Sequence, residues 1–344
     1  MKHFLAFTSA VFLFLTVFYF YKDDSQILKD RASLKVYGSN SFVGSWGPGP
    51  KLKELFEKQT GLKITYLEMT DPTLLLQKIS FDGDKAIADV VLSLDQYDLI
   101  KIGDKIKWEN TYPTEIENIP DYLSHITAIK QFSAYDWAPL AFIVRKDFSV
   151  PIKNLNDLLK PELKNRIALQ DPRTSSPGLI FINWVYSQFN SANEAEQFLK
   201  KLMIQAHSFS PSWSASYGLF KTQQVDVVLS YATSPLYQLV EEKNDQYTAI
   251  EFDNKHPLQV EFAGVPAVCK NCEGAKQFVK FLQSYEAQKI IMEKNYMFPI
   301  DRSAQEGTPF DHVKIFKILP YTVQSKENLQ KQIDTWNELR NSEN

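Results

Sequence analysis

The chain has 344 residues, more than one hydrophobic core usually organises, so two lobes are expected. Its 38 Lys and Arg are interspersed with 41 Asp and Glu for a formal net charge of −3, which leaves no basic footprint and argues against nucleic acid as a partner. The 44% apolar share is that of a soluble globular chain.

Lys2 and His3 precede an uncharged apolar run from Phe4 to Tyr21, followed by Lys22, Asp23 and Asp24. A positive end before an apolar core is the layout of a secretory signal. The run is longer than a usual signal core and no Ala-x-Ala-like site follows it. Residues 1–21 therefore read as a signal segment that is either cleaved or kept as an N-terminal membrane anchor. Residues 22–33 read as a linker and the rest as exported to the periplasm. Cys269 and Cys272, the only cysteines, exclude a lipoprotein anchor.

From there strand-like and helical stretches alternate. Strands are predicted over Leu34–Tyr37, Leu62–Leu67 and Ala88–Leu94, with helices over Pro50–Gln59 and Pro72–Ser80. A second series begins at Pro139. It has strands over Leu140–Val144, Arg166–Leu169 and Val225–Leu229 and helices over Gly178–Phe189, Asn193–Ile204, Ser214–Lys221 and Ser234–Lys243. A strand near Leu258–Phe262 and helices over Glu273–Ser284 and Ser325–Leu339 complete the chain. Continuous β-branched strands between amphipathic helices predict an α/β fold with parallel sheets covered on both faces. Residues 34–138 with 263–344 are expected to form a discontinuous first lobe and 139–262 the second, joined by two hinge strands around a central ligand cleft.

Ligands of open α/β sheets sit at the carboxyl ends of the strands, so the strand-to-helix loops are the candidate site. After the first strand, the run from Gly38 to Pro50 offers Ser39 and other small donors and the ring of Trp46, which could equally be a packing anchor at a Pro-initiated helix start. Asp71 before Pro72 reads as an N-cap that could also face a cationic ligand. The segment Gln170–Gly178 places Thr174, Ser175 and Ser176 beside free helix amides. It suits a hydroxyl or phosphate group, with capping as the plainer reading and Arg173 most simply an ion-pair partner. Trp213 and Tyr231 lie just outside predicted elements, where a ring can stack on a heteroaromatic cation, while Tyr237 falls inside a helix. Tyr296, in Tyr296-Met297-Phe298-Pro299, could cover the cleft.

No nucleophile elbow or zinc-protease motif occurs, the five His show no ligand spacing, and no carboxylate pairs with a His as a triad would. No enzyme, metal site or cofactor is expected. Cys269 and Cys272 read as a structural disulfide or inert thiols, with redox chemistry as the sharper alternative.

These loops together resemble the periplasmic thiamine-binding proteins, the solute-binding subunits of bacterial thiamine ABC importers. SFVGSWGPGP, ADVVLSLD, QDPRTSSPGL, WSASYGLF, VVLSYATSPLY and NYMFPI carry the likeness, from about Leu34 to Pro299. The resemblance implies a class II periplasmic binding fold that closes on thiamine or its phosphate esters. It also implies an inner-membrane ABC permease as partner, a monomeric state, and ligand contacts at Trp46, Asp71, Ser175, Trp213, Tyr231 and Tyr237. The chain departs from the family where members carry a Tyr after the first strand and a Trp near the end; here these are Ser39 and Tyr296. Ferric iron, a polyamine or a phosphonate are the alternative ligands for the same fold, and a thiaminase-like transferase is the alternative activity.

Overall fold

A computed structural model describes residues 32–69, 72–83, 88–102, 106–111, 119–127 and 130–341. The expected signal segment, nearly all of the linker, and Asp71 lie outside them. In chain order the first elements are β1 Ser33–Ser39, α1 Asn40–Val43, α2 Gly49–Thr60, β2 Lys63–Met69, α3 Pro72–Asp82, β3 Val90–Asp95, α4 Gln96–Ile102, α5 Asp121–Thr127 and β4 Phe132–Arg145. Then come β5 Ile167–Gln170, α6 Ser176–Gln188, α7 Ala192–Gln205, β6 Ser208–Ser210, α8 Trp213–Lys221, β7 Val227–Tyr231 and α9 Ser234–Glu241. The last are β8 Tyr247–Ile250, β9 Leu258–Gly264, α10 Cys272–Phe281, α11 Tyr285–Asn295, β10 Phe298–Pro299 and α12 Lys326–Asn341.

The strands pair in the order β2-β1-β3-β9-β4-β7-β5-β6, with β8 and β10 also on β4. β1 runs parallel to β2 and β3, and β5 parallel to β6 and β7. β9 is antiparallel to both β3 and β4, so the sheet is mixed and not purely parallel as the apolar runs predicted. The reason is that β4 and β9 are central strands covered on both faces, and double burial produces the same continuous apolar run whatever the strand direction.

β4 passes from one half of the sheet into the other. Its residues 132–139 pair with β9, while 140–145 pair with β7 and β8. The stretch from β8 to β9 returns alongside it, so the chain crosses the junction twice as neighbours. His256 fastens this crossing: its Nε2 accepts the Phe252 N–H at 2.9 Å, so Nδ1 carries the proton that goes to the Leu140 carbonyl at 2.7 Å. Burial holds this imidazole below its ordinary pKa and keeps it neutral.

Two apolar clusters, one around Phe56, Tyr135 and Phe278 and the other around Trp137, Phe262 and Phe298, underlie the first half of the sheet. A cluster with Phe142, Phe181 and Trp184 underlies the second. We propose the expected division into lobes with one change. The last helix packs chiefly on the second series, though it also meets α4 of the first: the stripe Leu329, Ile333 and Trp336 on α12 joins the cluster around Phe142, Phe181 and Trp184, with the Trp336 ring edge-on to Phe209 at 4.7 Å. Arg340 at its end reaches Asp171 at 2.7 Å. Among the described residues no helix is long and apolar enough to cross a membrane.

Cys269 and Cys272 are joined by a disulfide where the chain enters α10. Asp89 gathers this turn onto β1 and β3 by accepting the backbone N–H groups of Lys35, Lys270 and Asn271.

Candidate functional site

The carboxyl ends of β1, β5, β6 and β7 converge on one cavity of about 740 Å³, within the range of small-molecule sites. On one side stand Ser39, at the end of β1, and Trp46, in the turn before α2. Trp46 is 49% exposed, so its ring faces the cavity and solvent and does not anchor the core. Gly47 allows this turn, because a Cβ there would collide with the carbonyl oxygens of Ser41 and Phe42.

Facing them are Ser175 and Ser176 at the start of α6, Trp213 at the start of α8, Tyr231 at the end of β7, and Tyr237 on α9. The α6 amides can approach because Gly178 sits where a Cβ would meet the Gln170 carbonyl oxygen at 2.6 Å. The Ser176 hydroxyl is buried and lies beside the Asp95 carboxyl. Thr174 does not line the cavity; its hydroxyl donates to the Pro211 carbonyl at 2.7 Å and ties the α6 loop to the α8 loop. Arg173 pairs with the buried Asp171 at 2.6 Å. Burial raises the Asp171 carboxyl, but Arg173 and Arg340 outweigh it and hold the group below its ordinary range.

The aromatic faces are fixed by packing. Trp213 stacks on Tyr217 with centroids 4.8 Å apart and planes 19° apart, lies 6.3 Å from Tyr231, and donates its indole N–H to Ser230 at 2.8 Å. Tyr237 meets Tyr296 edge-on at 5.4 Å. Tyr296 ends α11 in the left-handed region, at φ 54°, and donates its hydroxyl to Glu241 at 3.0 Å. That conformation is uncommon outside glycine and turns the ring back over the cavity.

The floor comes from the central strands. Relative to β9, β3 carries one extra residue between Val91 and Leu94, and β4 one between Ala134 and Asp136. Two bulges therefore flank β9, and bulges re-aim side chains next to functional sites. Ser93, at φ 61°, is in the first and Tyr135 in the second. The Ser93 N–H donates to the Tyr135 hydroxyl at 2.9 Å, which donates to Glu261 at 2.9 Å. Ser93 Oγ accepts from the Ser39 hydroxyl at 2.8 Å, joining the end of β1 to the same network. Gln259 bridges the Tyr231 hydroxyl, 3.0 Å away, to Glu261 at 3.3 Å. Burial first, then the charge of Asp95, raises the Glu261 carboxyl to about 7.

A polar carboxylate floor between aromatic walls suits a flat organic cation. Residues 47–296 match the bacterial extracellular solute-binding protein family. The chain belongs to that family. Among its relatives, the thiamine-binding periplasmic protein of Salmonella typhimurium is 35% identical over 78% of this chain and 80% of its own length. That of Haemophilus influenzae is 34% identical over 89% and 92%. A solved periplasmic thiamin binding protein shares the fold with a TM-score of 0.78 at 30% identity, over 89% of this chain and 96% of the other. A ferric binding protein from Campylobacter jejuni shares the fold alone, with a TM-score of 0.73 at 19% identity over 89% and 99%. The two-lobed α/β architecture is thus that of the periplasmic binding proteins.

In this solute-binding protein the sequence reading passed over several cavity residues, among them Ser93, Glu241, Gln259, Glu261 and the lysines Lys51, Lys221 and Lys294. A signal for two of them was present. Gln259 and Glu261 alternate with Leu258, Val260 and Phe262, which places two polar groups on one face of a strand otherwise read as core.

Proposed function

We propose that this protein captures thiamine or a thiamine phosphate ester in the cavity and delivers it, as a monomer, to an inner-membrane ABC permease. The observation that carries the reading is the pairing of Trp213, Trp46 and Tyr231 faces with the Glu261 carboxylate in a cavity of small-molecule size. Flat rings suit the aminopyrimidine and thiazolium, and a carboxylate suits the permanent positive charge. Ser175, Ser176 and the α6 amides face the same space and suit a hydroxyl or phosphate tail. Ser39 lies against Ser93 and Ser41, so small hydroxyls and not a ring line the cavity at the end of β1. Asp71 stays a proposed cation partner outside the described residues.

The protein acts in the periplasm, reached through its N-terminal signal or held there by it, and acts by binding. A thiaminase-like transfer would need a cleft thiolate, whereas the chain's two cysteines are bonded to each other and neither lines the cavity. Ferric iron would need phenolates. The Tyr231 hydroxyl donates to Gln259 and is pushed well above its ordinary pKa by burial and then by Glu261 and Asp136, which opposes a phenolate. Mass spectrometry of the small molecule that co-purifies with the exported protein tests the reading. Thiamine or its phosphates are expected; another solute in stoichiometric amount would replace it.

A further inference from the structure

Glu261 does not stand alone on the floor. It is the direct partner of Asp95 on β3 and of Asp136 on β4, so three acids lie side by side across three adjacent strands. Side chains so opposed have Cβ atoms about 5 Å apart, and like charges there repel. Asp95 and Asp136 are buried. Asp95 Oδ1 caps α4 by accepting the N–H groups of Tyr97 at 2.7 Å and Asp98 at 2.8 Å, and Asp136 Oδ1 has no hydrogen-bond partner among the described atoms.

The groups facing this row do not neutralise it. On α4 are Tyr97 and Asp98, the latter paired with Lys101 at 2.8 Å. Tyr135 on β4 donates to Glu261, Tyr231 on β7 donates to Gln259, and Tyr321 faces Asp95 from the segment before α12. Asn295 at the end of α11 donates to Asp136 at 2.7 Å. Lys101 is paired with Asp98 and offsets only part of the effect on Asp95. Of the lysines that line the cavity with Glu261, Lys294 is paired with Glu241 and Lys221 with Glu242, and Lys51 stands on α2. Burial, then the neighbouring acids, lift Asp95 to about 7, as for Glu261, and Asp136 well above its ordinary range. Near neutral pH the empty row therefore retains protons.

We propose that capture of a cation in this cleft is coupled to release of a proton from the Asp95–Glu261–Asp136 row. The inference rests on the cationic-ligand reading above and deepens it. A positive ligand beside Glu261 supplies the compensation that the proton supplied in the empty cleft. The carboxyl O–H bond breaks, its electron pair stays on the carboxylate, and the proton passes to bulk water. Because the ligand prefers the ionised row, binding strengthens as pH rises through the row's titration range. Glu261, which lines the cavity, is the residue that reads the charge; Asp95 and Asp136 are positioning residues that set where it titrates.

Thiamine titrations of the exported protein by calorimetry, in buffers of different ionisation enthalpy, test the coupling on wild type, Glu261→Gln and Asp95→Asn. The wild type should bind about tenfold more weakly near pH 6 than near pH 8 and release a fraction of a proton near pH 7. Glu261→Gln should lose this pH dependence, and Asp95→Asn, which keeps the capping oxygen of α4, should move the midpoint to lower pH. Equal wild-type affinity at both pH values without buffer dependence would overturn the coupling alone. A pH dependence unchanged in Glu261→Gln would assign it to the ligand or another group. Should Glu261→Gln bind nothing, an unmoved midpoint in Asp95→Asn contradicts the row. Absence of thiamine binding by the wild type at every pH would overturn the thiamine reading itself.

Discussion

Trp213 is the residue on which the cleft's aromatic wall depends. Its indole N–H is held by Ser230 and its ring is backed by Tyr217, so the face it offers a ligand is set before binding and little rotamer entropy remains to be lost. Trp213→Ala should weaken thiamine binding by about 1 kcal/mol or more, at least fivefold in Kd by calorimetry, with little change in the melting temperature. A variant that bound as tightly as the wild type would remove Trp213 from the site. Such residues were legible in the sequence because bulky rings beside Ser, Pro and Gly in strand-to-helix loops have no periodic core pattern to explain them. Glu261 was legible only as a polar position on one strand face, because an acid in an apolar strand gives no hint of which neighbours it will meet. The register that sets it against Asp95 and Asp136 is a property of three strands distant in the chain.

Among the elements, the predicted strand-to-helix units of both series lie where periodicity and caps placed them, within a few residues: α2 starts at Gly49, one residue before Pro50, and α6 starts at Ser176 after Ser175 at its N-cap. The strand at β9 was predicted, but its antiparallel direction, the first half of β4 and the two bulges were not legible. Pairing direction depends on which distant strand comes alongside, and a bulge is one residue of excess against a partner that the local sequence does not name. The disulfide turn at α10 is local and neither cysteine lines the cavity, and we propose a structural role for it. Replacing Cys269 and Cys272 together by Ala should cost about 2 kcal/mol of stability, as a lower melting temperature. Thiamine affinity should stay unchanged. A loss of affinity without a loss of stability would instead connect this turn to the cleft.

At the scale of the whole molecule, β4 and the β8–β9 return run together through the junction between the two halves of the sheet, and α12 fastens to the second half through Trp336 and Arg340. The cavity lies between the halves, with Glu261 and Gln259 on a strand of the junction and the rings on either side. A ligand held there touches both halves at once, which is how a binding protein converts occupancy into a shape that a permease can recognise. Calorimetric titration of the exported protein with thiamine tests this account most directly. One ligand per chain at a micromolar Kd or tighter, about −8 kcal/mol, is the predicted result. No heat and no thermal shift with thiamine, thiamine monophosphate or thiamine pyrophosphate would contradict it.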